Sequence, residues 1–177
     1  MKDFNTEVLI IGTGVAGLSS AIKLAEQKVK VTIVTRAEKP EVTNTFWAQG
    51  GIIYSPQNLN DREDLITDII KASAHTSNEQ AARILATRSA EIIDEMLIHK
   101  SNTDFAKDAE GELLFTREAA HSRERIIYKG DMTGKSIEIS LLNYLNDSEK
   151  FPNVTFLTSH TAIDLITPNH HGVDITQ

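Results

Sequence analysis

Apolar residues fall along the chain first as short continuous runs and then as helical stripes. Val8 to Ile11 is an unbroken apolar run that stops at Gly12, the pattern of a buried parallel strand. From Val15 to Gln27 the positions Leu18, Ala21, Ile22, Leu24 and Ala25 lie mainly on one helical face. Val29 to Val34 is β-branched except for Lys30 and predicts a second strand. Strand, tight turn, helix and strand within about thirty residues make a βαβ unit, whose crossover is right-handed.

Beyond Lys39-Pro40 the pattern loosens into a loop that runs through Asn44 to Gly51. Two helices follow. Asn60 with Glu63 has the spacing of a capping box before Leu65, Ile66, Ile69 and Ile70, and Ser77 with Gln80 repeats it before Ala82, Leu85, Ile92, Met96 and Leu97. Phe105, the turn Asp108-Ala109-Glu110-Gly111 and Leu113 to Thr116 predict a hairpin, with Arg125 to Tyr128 as a further strand. Thr133-Gly134 precedes an amphipathic helix built on Ile137, Leu141, Leu142 and Leu145. Phe151 to Leu157 and Ala162 to Ile166 predict strands. His170 to Gln177 reads as a turn and the start of another strand, with nothing after it to pair with, the ending expected of a truncated chain.

Composition narrows the function classes. The 177 residues, 40% of them hydrophobic, suit one domain or a little more and can bury a real core. The absence of cysteine excludes a disulfide scaffold, a thiolate metal site and a cysteine nucleophile within this chain, and fits a cytoplasmic location. Eighteen basic against twenty-five acidic residues, a net charge of −7, argue against a general nucleic-acid binder. No apolar run approaches the ~20 residues that span a bilayer, so no membrane partner is expected. The six histidines have no ligand-like pairing on one helical face, and no metal is expected. Asp61 to Asp64 and Glu91 to Glu95 read as solvated helix faces rather than acid/base pairs.

The strongest chemical signal is Gly12-Thr13-Gly14-Val15-Ala16-Gly17. Gly12 permits the strand-to-helix turn, Gly14 lets the backbone approach a pyrophosphate, Gly17 allows close helix–strand packing, and the helix N-terminus offers N–H groups to an anion. A bare G-x-G-x-x-G is weak; one that follows a strand, opens a helix and leads to a second strand predicts a dinucleotide site. The acidic residue that would hold an adenosine ribose after the second strand is replaced by Thr35 and Arg36. Arg36 suits a position near the adenosine or an NADP phosphate, and judged alone it is equally a surface cation. The loop Asn44-Thr45-Phe46-Trp47-Ala48-Gln49-Gly50-Gly51 joins aromatics to paired glycines whose N–H groups can approach a planar ligand; alone it would read as aromatic core anchors beside a turn.

These segments, with Thr116-Arg117-Glu118-Ala119-Ala120-His121-Ser122 and Asp131-Met132-Thr133-Gly134, resemble the N-terminal part of L-aspartate oxidases, within the succinate dehydrogenase/fumarate reductase flavoprotein superfamily. The resemblance runs over essentially the whole chain and implies an α/β fold. Residues 1–177 would be the N-terminal part of a Rossmann-like FAD-binding domain with a parallel sheet and a β-hairpin insertion, without the capping and C-terminal helical domains. It implies FAD bound by Gly12, Thr13, Gly14, Val15, Ala16, Gly17, Arg36, the loop from Asn44 to Gly51, Thr161 and Ala162. Asn44 matches the position of the histidine that carries covalent FAD in membrane-linked relatives, so a non-covalent flavin is implied.

The implied reaction is oxidation of L-aspartate to iminoaspartate with fumarate or oxygen as acceptor, feeding NAD biosynthesis beside quinolinate synthase. Glu118 stands where dicarboxylate reductases carry phenylalanine, and its carboxylate would pair with the substrate's α-ammonium group. Without the resemblance, Glu118 reads as an exposed carboxylate paired with Arg117 or Arg123. His121 either lines the site or stands behind it. Ala119-Ala120 replaces two glycines of the family. Two alternatives share most of the motifs: a fumarate reductase- or succinate dehydrogenase-like flavoprotein, and a non-catalytic FAD-binding remnant.

Overall fold

The structure, a computed structural model, describes residues 5–55 and 59–167. The βαβ unit forms where the apolar pattern places it: Val8–Ile11 is β1, Val15–Glu26 is α1 and Val31–Val34 is β2. β2 starts later than its β-branched run because Lys28, at φ 66°, ends α1 in a left-handed turn and the Val29 N–H turns back to the Leu24 carbonyl. β2 is the centre of a parallel sheet of order β1-β2-β6, where β6 is Val154–Leu157, and all four of its residues are buried. Val31 lies opposite both Val8 and Val154, so the register is continuous across the three strands. Phe151 is not part of β6. It is buried at the turn before that strand, edge-on to Tyr144.

A second sheet is antiparallel. Gly51–Ile53 (β3), Phe115–Thr116 (β4) and Ile126–Tyr128 (β5) pair in the order β3-β5-β4, with Ile52 opposite Ile127. β3 is hidden in the sequence by the glycine that opens it, yet a Cβ on Gly51 would stand 2.5 Å from the Ile127 carbonyl oxygen, so only glycine fits. The hairpin before β4 closes through a bridge from Lys107 to Leu113, and the Asp108 side chain accepts from the Glu110 and Glu112 N–H groups across the turn.

The helices are α2 (Leu59–Ala72), α3 (Glu79–Ile93), a π-helical turn continuing from it (Asp94–Lys100), and α4 (Thr133–Leu145). Both capping boxes need correction. Asn60 lies inside α2, and α3 is capped by Asn78, whose side chain accepts from the Ala81 N–H, rather than by Ser77. Thr133 and Gly134 form the first turn of α4 instead of preceding it. The main core joins α1, α4 and the parallel sheet through Leu18, Ile22, Ile33, Leu141 and Leu145; Leu65, Ile66, Ala82 and Ala86 join α2 to α3.

The strand expected over Ala162 to Ile166 does not form. Ile163 is 94% exposed, and no described strand lies beside the segment to complete a ladder. His170 to Gln177 falls outside the described residues. Among the described residues no helix is long and apolar enough to cross a membrane.

Candidate cofactor site

The glycine fingerprint is set by steric necessity at two positions. Gly12 adopts φ 107° as the chain leaves β1, and its N–H donates to the Val34 carbonyl at 2.8 Å. A Cβ on Gly17 would lie 2.1 Å from the Gly12 carbonyl oxygen, so α1 packs against the turn only because that atom is missing. Gly14 is the N-cap of α1 and contributes no side-chain cap of its own; a loop hydroxyl, that of Thr45, takes the Val15 N–H, so it is the remaining first-turn N–H groups that can meet an anion.

Beside this turn lies a cavity of about 320 Å³. It brings Gly12, Thr13 and Gly14 together with Arg36, Thr161 and Ala162, so fingerprint, second-strand end and the segment after β6 share one site. Thr35 also lines it but turns inward, accepting from the Ala37 N–H. Backbone hydrogen bonds fix the far wall: the Thr35 N–H donates to the Leu157 carbonyl and the His160 N–H to the Thr35 carbonyl.

The loop 44–51 folds over the start of α1. The Thr45 hydroxyl accepts from the Val15 N–H at 3.1 Å, and the Thr43 hydroxyl accepts from the Phe46 N–H. α4 clamps the loop from beneath, where the Gly134 N–H donates to the Ala48 carbonyl and a Cβ on Gly134 would stand 2.0 Å from the Thr45 carbonyl oxygen. Under the loop is a second, largely apolar cavity of about 340 Å³. Val15, Thr45, Ala48, Gln49 and Gly51 line it with Ile52, Met96 and Ile137. Asn44, Phe46 and Trp47 line neither cavity. Phe46 packs edge-on to Trp47, which is 71% exposed, and sits under the Lys135 ammonium. Ala16 is exposed on the first turn of α1.

Glu118 does not pair with Arg117 or Arg123. Its Oε1 accepts from the Gly51 N–H at 3.2 Å and lies against Gly50, which holds φ 68°. The loop that carries it is anchored by Arg125, 1% exposed at its side chain, which donates to Asp68 at 2.7 Å and to Asp61 at 3.1 Å. Asp68 also accepts from the Ser122 N–H and hydroxyl, and the Arg125 guanidinium contacts His121 Nδ1 at 3.2 Å. Burial alone would raise the Asp68 carboxyl, but the Ser122 N–H and the Arg125 guanidinium hold it below its usual range. Asp61 and Asp64, expected on a solvated face, are instead the α2 side of this clasp, with Arg123 closing on Asp64. A signal for it exists in the sequence: an arginine opening an apolar strand needs carboxylates, and Asp61, Asp64 and Asp68 recur on one helical stripe.

A buried acid is a second feature that the sequence pattern does not reveal. Glu138 lies on the apolar stripe of α4, fully buried, and neither of its oxygens has a hydrogen bond of standard geometry. Burial pushes its carboxyl up to about 7; the nearby Thr43 hydroxyl offsets this in part and the Glu41 charge adds to it.

The residues present fit a dinucleotide. The Thr13 hydroxyl is buried in the cavity wall without a partner, an orphan that a phosphate oxygen would satisfy, and it adjoins the N-terminus of α1. Comparison with known proteins agrees. L-aspartate oxidase from Arabidopsis thaliana chloroplasts is 38% identical over 172 residues, covering 93% of this chain and 25% of that protein. The Clostridium acetobutylicum L-aspartate oxidase is 36% identical over 168 residues, covering 95% of this chain and 37% of its own. The chain thus spans between a quarter and two-fifths of these relatives' length. In fold it is similar to the Mycobacterium smegmatis Sdh1 complex with UQ1, at TM-score 0.79 and 20% identity over 90% of this chain and 28% of that one. It is also similar to E. coli quinol fumarate reductase, at TM-score 0.78 and 20% identity over 90% of this chain and 26% of that one. Residues 7–176 match the FAD binding domain family, and the chain belongs to that family, with FAD as its cofactor.

Proposed function

We propose that the chain is the N-terminal part of the FAD-binding domain of an L-aspartate oxidase, acting in the cytoplasm. It would oxidise L-aspartate to iminoaspartate with fumarate or oxygen as acceptor and feed quinolinate and NAD synthesis. The observation that carries this reading is the place of Glu118, whose carboxylate reaches the Gly51 N–H at the paired glycines of the cofactor loop. A carboxylate there has an oxygen left to receive an α-ammonium group, which aspartate has and succinate lacks. Bound FAD supplies the acceptor for the hydride from the substrate Cα.

The protein's own residues bind and orient. In this reading the N-terminus of α1, the Thr13 hydroxyl and the Gly14 backbone receive the pyrophosphate, while Arg36, Thr161 and Ala162 enclose the adenosine end. Thr45, Ala48, Gln49 and Gly51 form the wall for the flavin ring. Glu118 orients the substrate by its ammonium group, and the Arg125 clasp keeps that carboxylate at the loop. Asn44 carries an amide, which has no nucleophilic nitrogen to bond flavin, so the cofactor is held non-covalently.

The test is the visible spectrum of the chain after incubation with FAD and desalting. Flavin bands are expected, with all flavin passing a filter once the protein is denatured. L-aspartate should then perturb the bands of the wild-type protein and not those of Glu118→Gln. Flavin that stays with the denatured protein overturns the role given to Asn44. An equal response to aspartate in the variant overturns that given to Glu118.

A further inference from the structure

Glu138 has no part in the reading above, and its placement is costly unless it is used. It is 0% exposed, its two oxygens lack hydrogen bonds of standard geometry, and a buried ionised carboxylate in that condition is strongly disfavoured. It lies one turn after Gly134, the residue that clamps the 44–51 loop onto α4. Its polar neighbour is Thr43, which caps the Phe46 N–H and lines the cavity containing the fingerprint. Thr43 also faces Gly14, at 4.0 Å from where a Cβ on that glycine would stand. Glu138, Thr43 and the N-terminus of α1 therefore form one stack from the core to the cavity.

The other charges around α4 are engaged elsewhere. α1 brings Lys23 and Glu26, and the π-helical turn brings Asp94, Glu95 and Lys100. Lys23 and Lys100 pair with Glu95, Lys100 also with Glu26, and Asp94 accepts from Tyr54. His99 faces the groove shared with Arg62 and Glu91. On α4 itself, Lys135 lies over Phe46. The charged group that acts on Glu138 is Glu41, another acid, at the base of the same loop.

We propose that Glu138 is a positioning residue for the dinucleotide: as a neutral acid it supports the 41–48 loop over the phosphates, and as an anion beside Glu41 it opposes them. This rests on the cavity at the fingerprint being the FAD phosphate site. A negative charge stacked beneath Thr43 sits at low dielectric and is poorly screened, so its effect on a bound pyrophosphate is larger than that of a surface carboxylate. Because burial raises the Glu138 carboxyl to about 7, the transition falls inside the pH interval titrated below.

The experiment titrates the chain with FAD and, separately, with ADP between pH 6 and pH 8.5, following flavin fluorescence and heat of binding. Wild type is expected to lose about tenfold in affinity for both ligands across that range. Glu138→Gln, which keeps the shape and cannot ionise, should hold its FAD affinity level and match wild type at pH 6; for ADP, whose terminal phosphate itself titrates in this range, the readout is the ratio of variant to wild-type affinity at each pH. Thermal melting without ligand guards against a folding defect: Glu138→Gln should melt at or above wild type at pH 8.5, and Glu138→Met should give the same level affinity profile. Parallel pH profiles for wild type and both variants overturn the role of Glu138 while leaving the cofactor site standing. Failure of either ligand to bind any of the proteins at any pH overturns both the role and the site.

Discussion

Removal of the Arg125 guanidinium is the sharpest test of how the Glu118 loop is held. Arg125 is 1% exposed at its side chain and faces Asp68, 10% exposed, and Asp61, 16% exposed. In Arg125→Met the stem is replaced by an apolar side chain, so Asp68 loses its cation and keeps only the Ser122 hydrogen bonds, and Asp61 keeps only Arg123, at 3.7 Å. Breaking a buried pair by removing one member costs about 3–5 kcal/mol, because the remaining charge is left without compensation. Asp68 decides the pH dependence. In the wild type its carboxyl titrates below the ordinary value of 3.8, so the stability it contributes is present above that value and is lost as pH falls through the lower, folded one. Without Arg125 the sign reverses: the buried carboxyl favours its proton, and the defect is largest at pH 7 and shrinks toward pH 4.5. Urea unfolding followed by circular dichroism at both pH values measures this. Adding Asp68→Asn to Arg125→Met should restore about 1–3 kcal/mol, since it removes the stranded charge. A loss below about 1 kcal/mol at pH 7, or a double variant no more stable than the single one, would refute the clasp as the anchor of this loop.

Two further substitutions probe backbone geometry, and in both the expected sign runs against helix or entropy rules. Gly134→Ala in α4 would ordinarily stabilise a helix by about 0.5–1 kcal/mol. Here the Cβ meets the Thr45 and Ala48 carbonyl oxygens at 2.0 and 2.7 Å, so a loss of about 1–3 kcal/mol with weakened FAD retention is expected in chemical melts and desalting assays. Ala120 holds φ 71°, a left-handed conformation that costs an alanine about 1 kcal/mol or more. Ala120→Gly should therefore raise stability by about 0.5–1 kcal/mol after the added chain entropy of glycine is subtracted, seen as a higher melting temperature.

The sequence was most legible where structure depends on near neighbours. β1, α1 and β2 follow from a short apolar run, a glycine turn and a helical stripe, and each is closed by contacts within about thirty residues. Ala120 stands where the resemblance expects glycine, and its positive φ is the conformation a glycine would take without strain. Legibility fell where a partner from afar decides the outcome. β3 exists because β5 pairs with it, and its own residues begin with a glycine that discourages strand formation. Asp61 and Asp64 carry the composition of a wet helix face, and only Arg123 and Arg125, far along the chain, draw them inward. Ala162 to Ile166 has the composition of a strand and finds no ladder to join among the described residues. Of the residues expected at the cofactor, Gly12, Thr13, Gly14, Val15, Arg36, Thr45, Ala48, Gln49, Gly51, Thr161 and Ala162 line the two cavities, whereas Ala16, Gly17, Asn44, Phe46, Trp47 and Gly50 do not.

The register of the parallel sheet has a consequence for how the chain is made. β2 acquires its second neighbour only when Val154 comes to lie beside Val31, across more than a hundred residues of intervening chain. At about 5–20 residues per second of synthesis, the first βαβ unit waits roughly 6–25 s with one side of its central strand unpaired. The pairing must also repay the closure of that long loop before it yields any stability, which makes the sheet a late and slow event. The unit that holds the fingerprint is therefore made well before the strand that completes its pairing, and during that interval it depends on whatever shields nascent strands from one another.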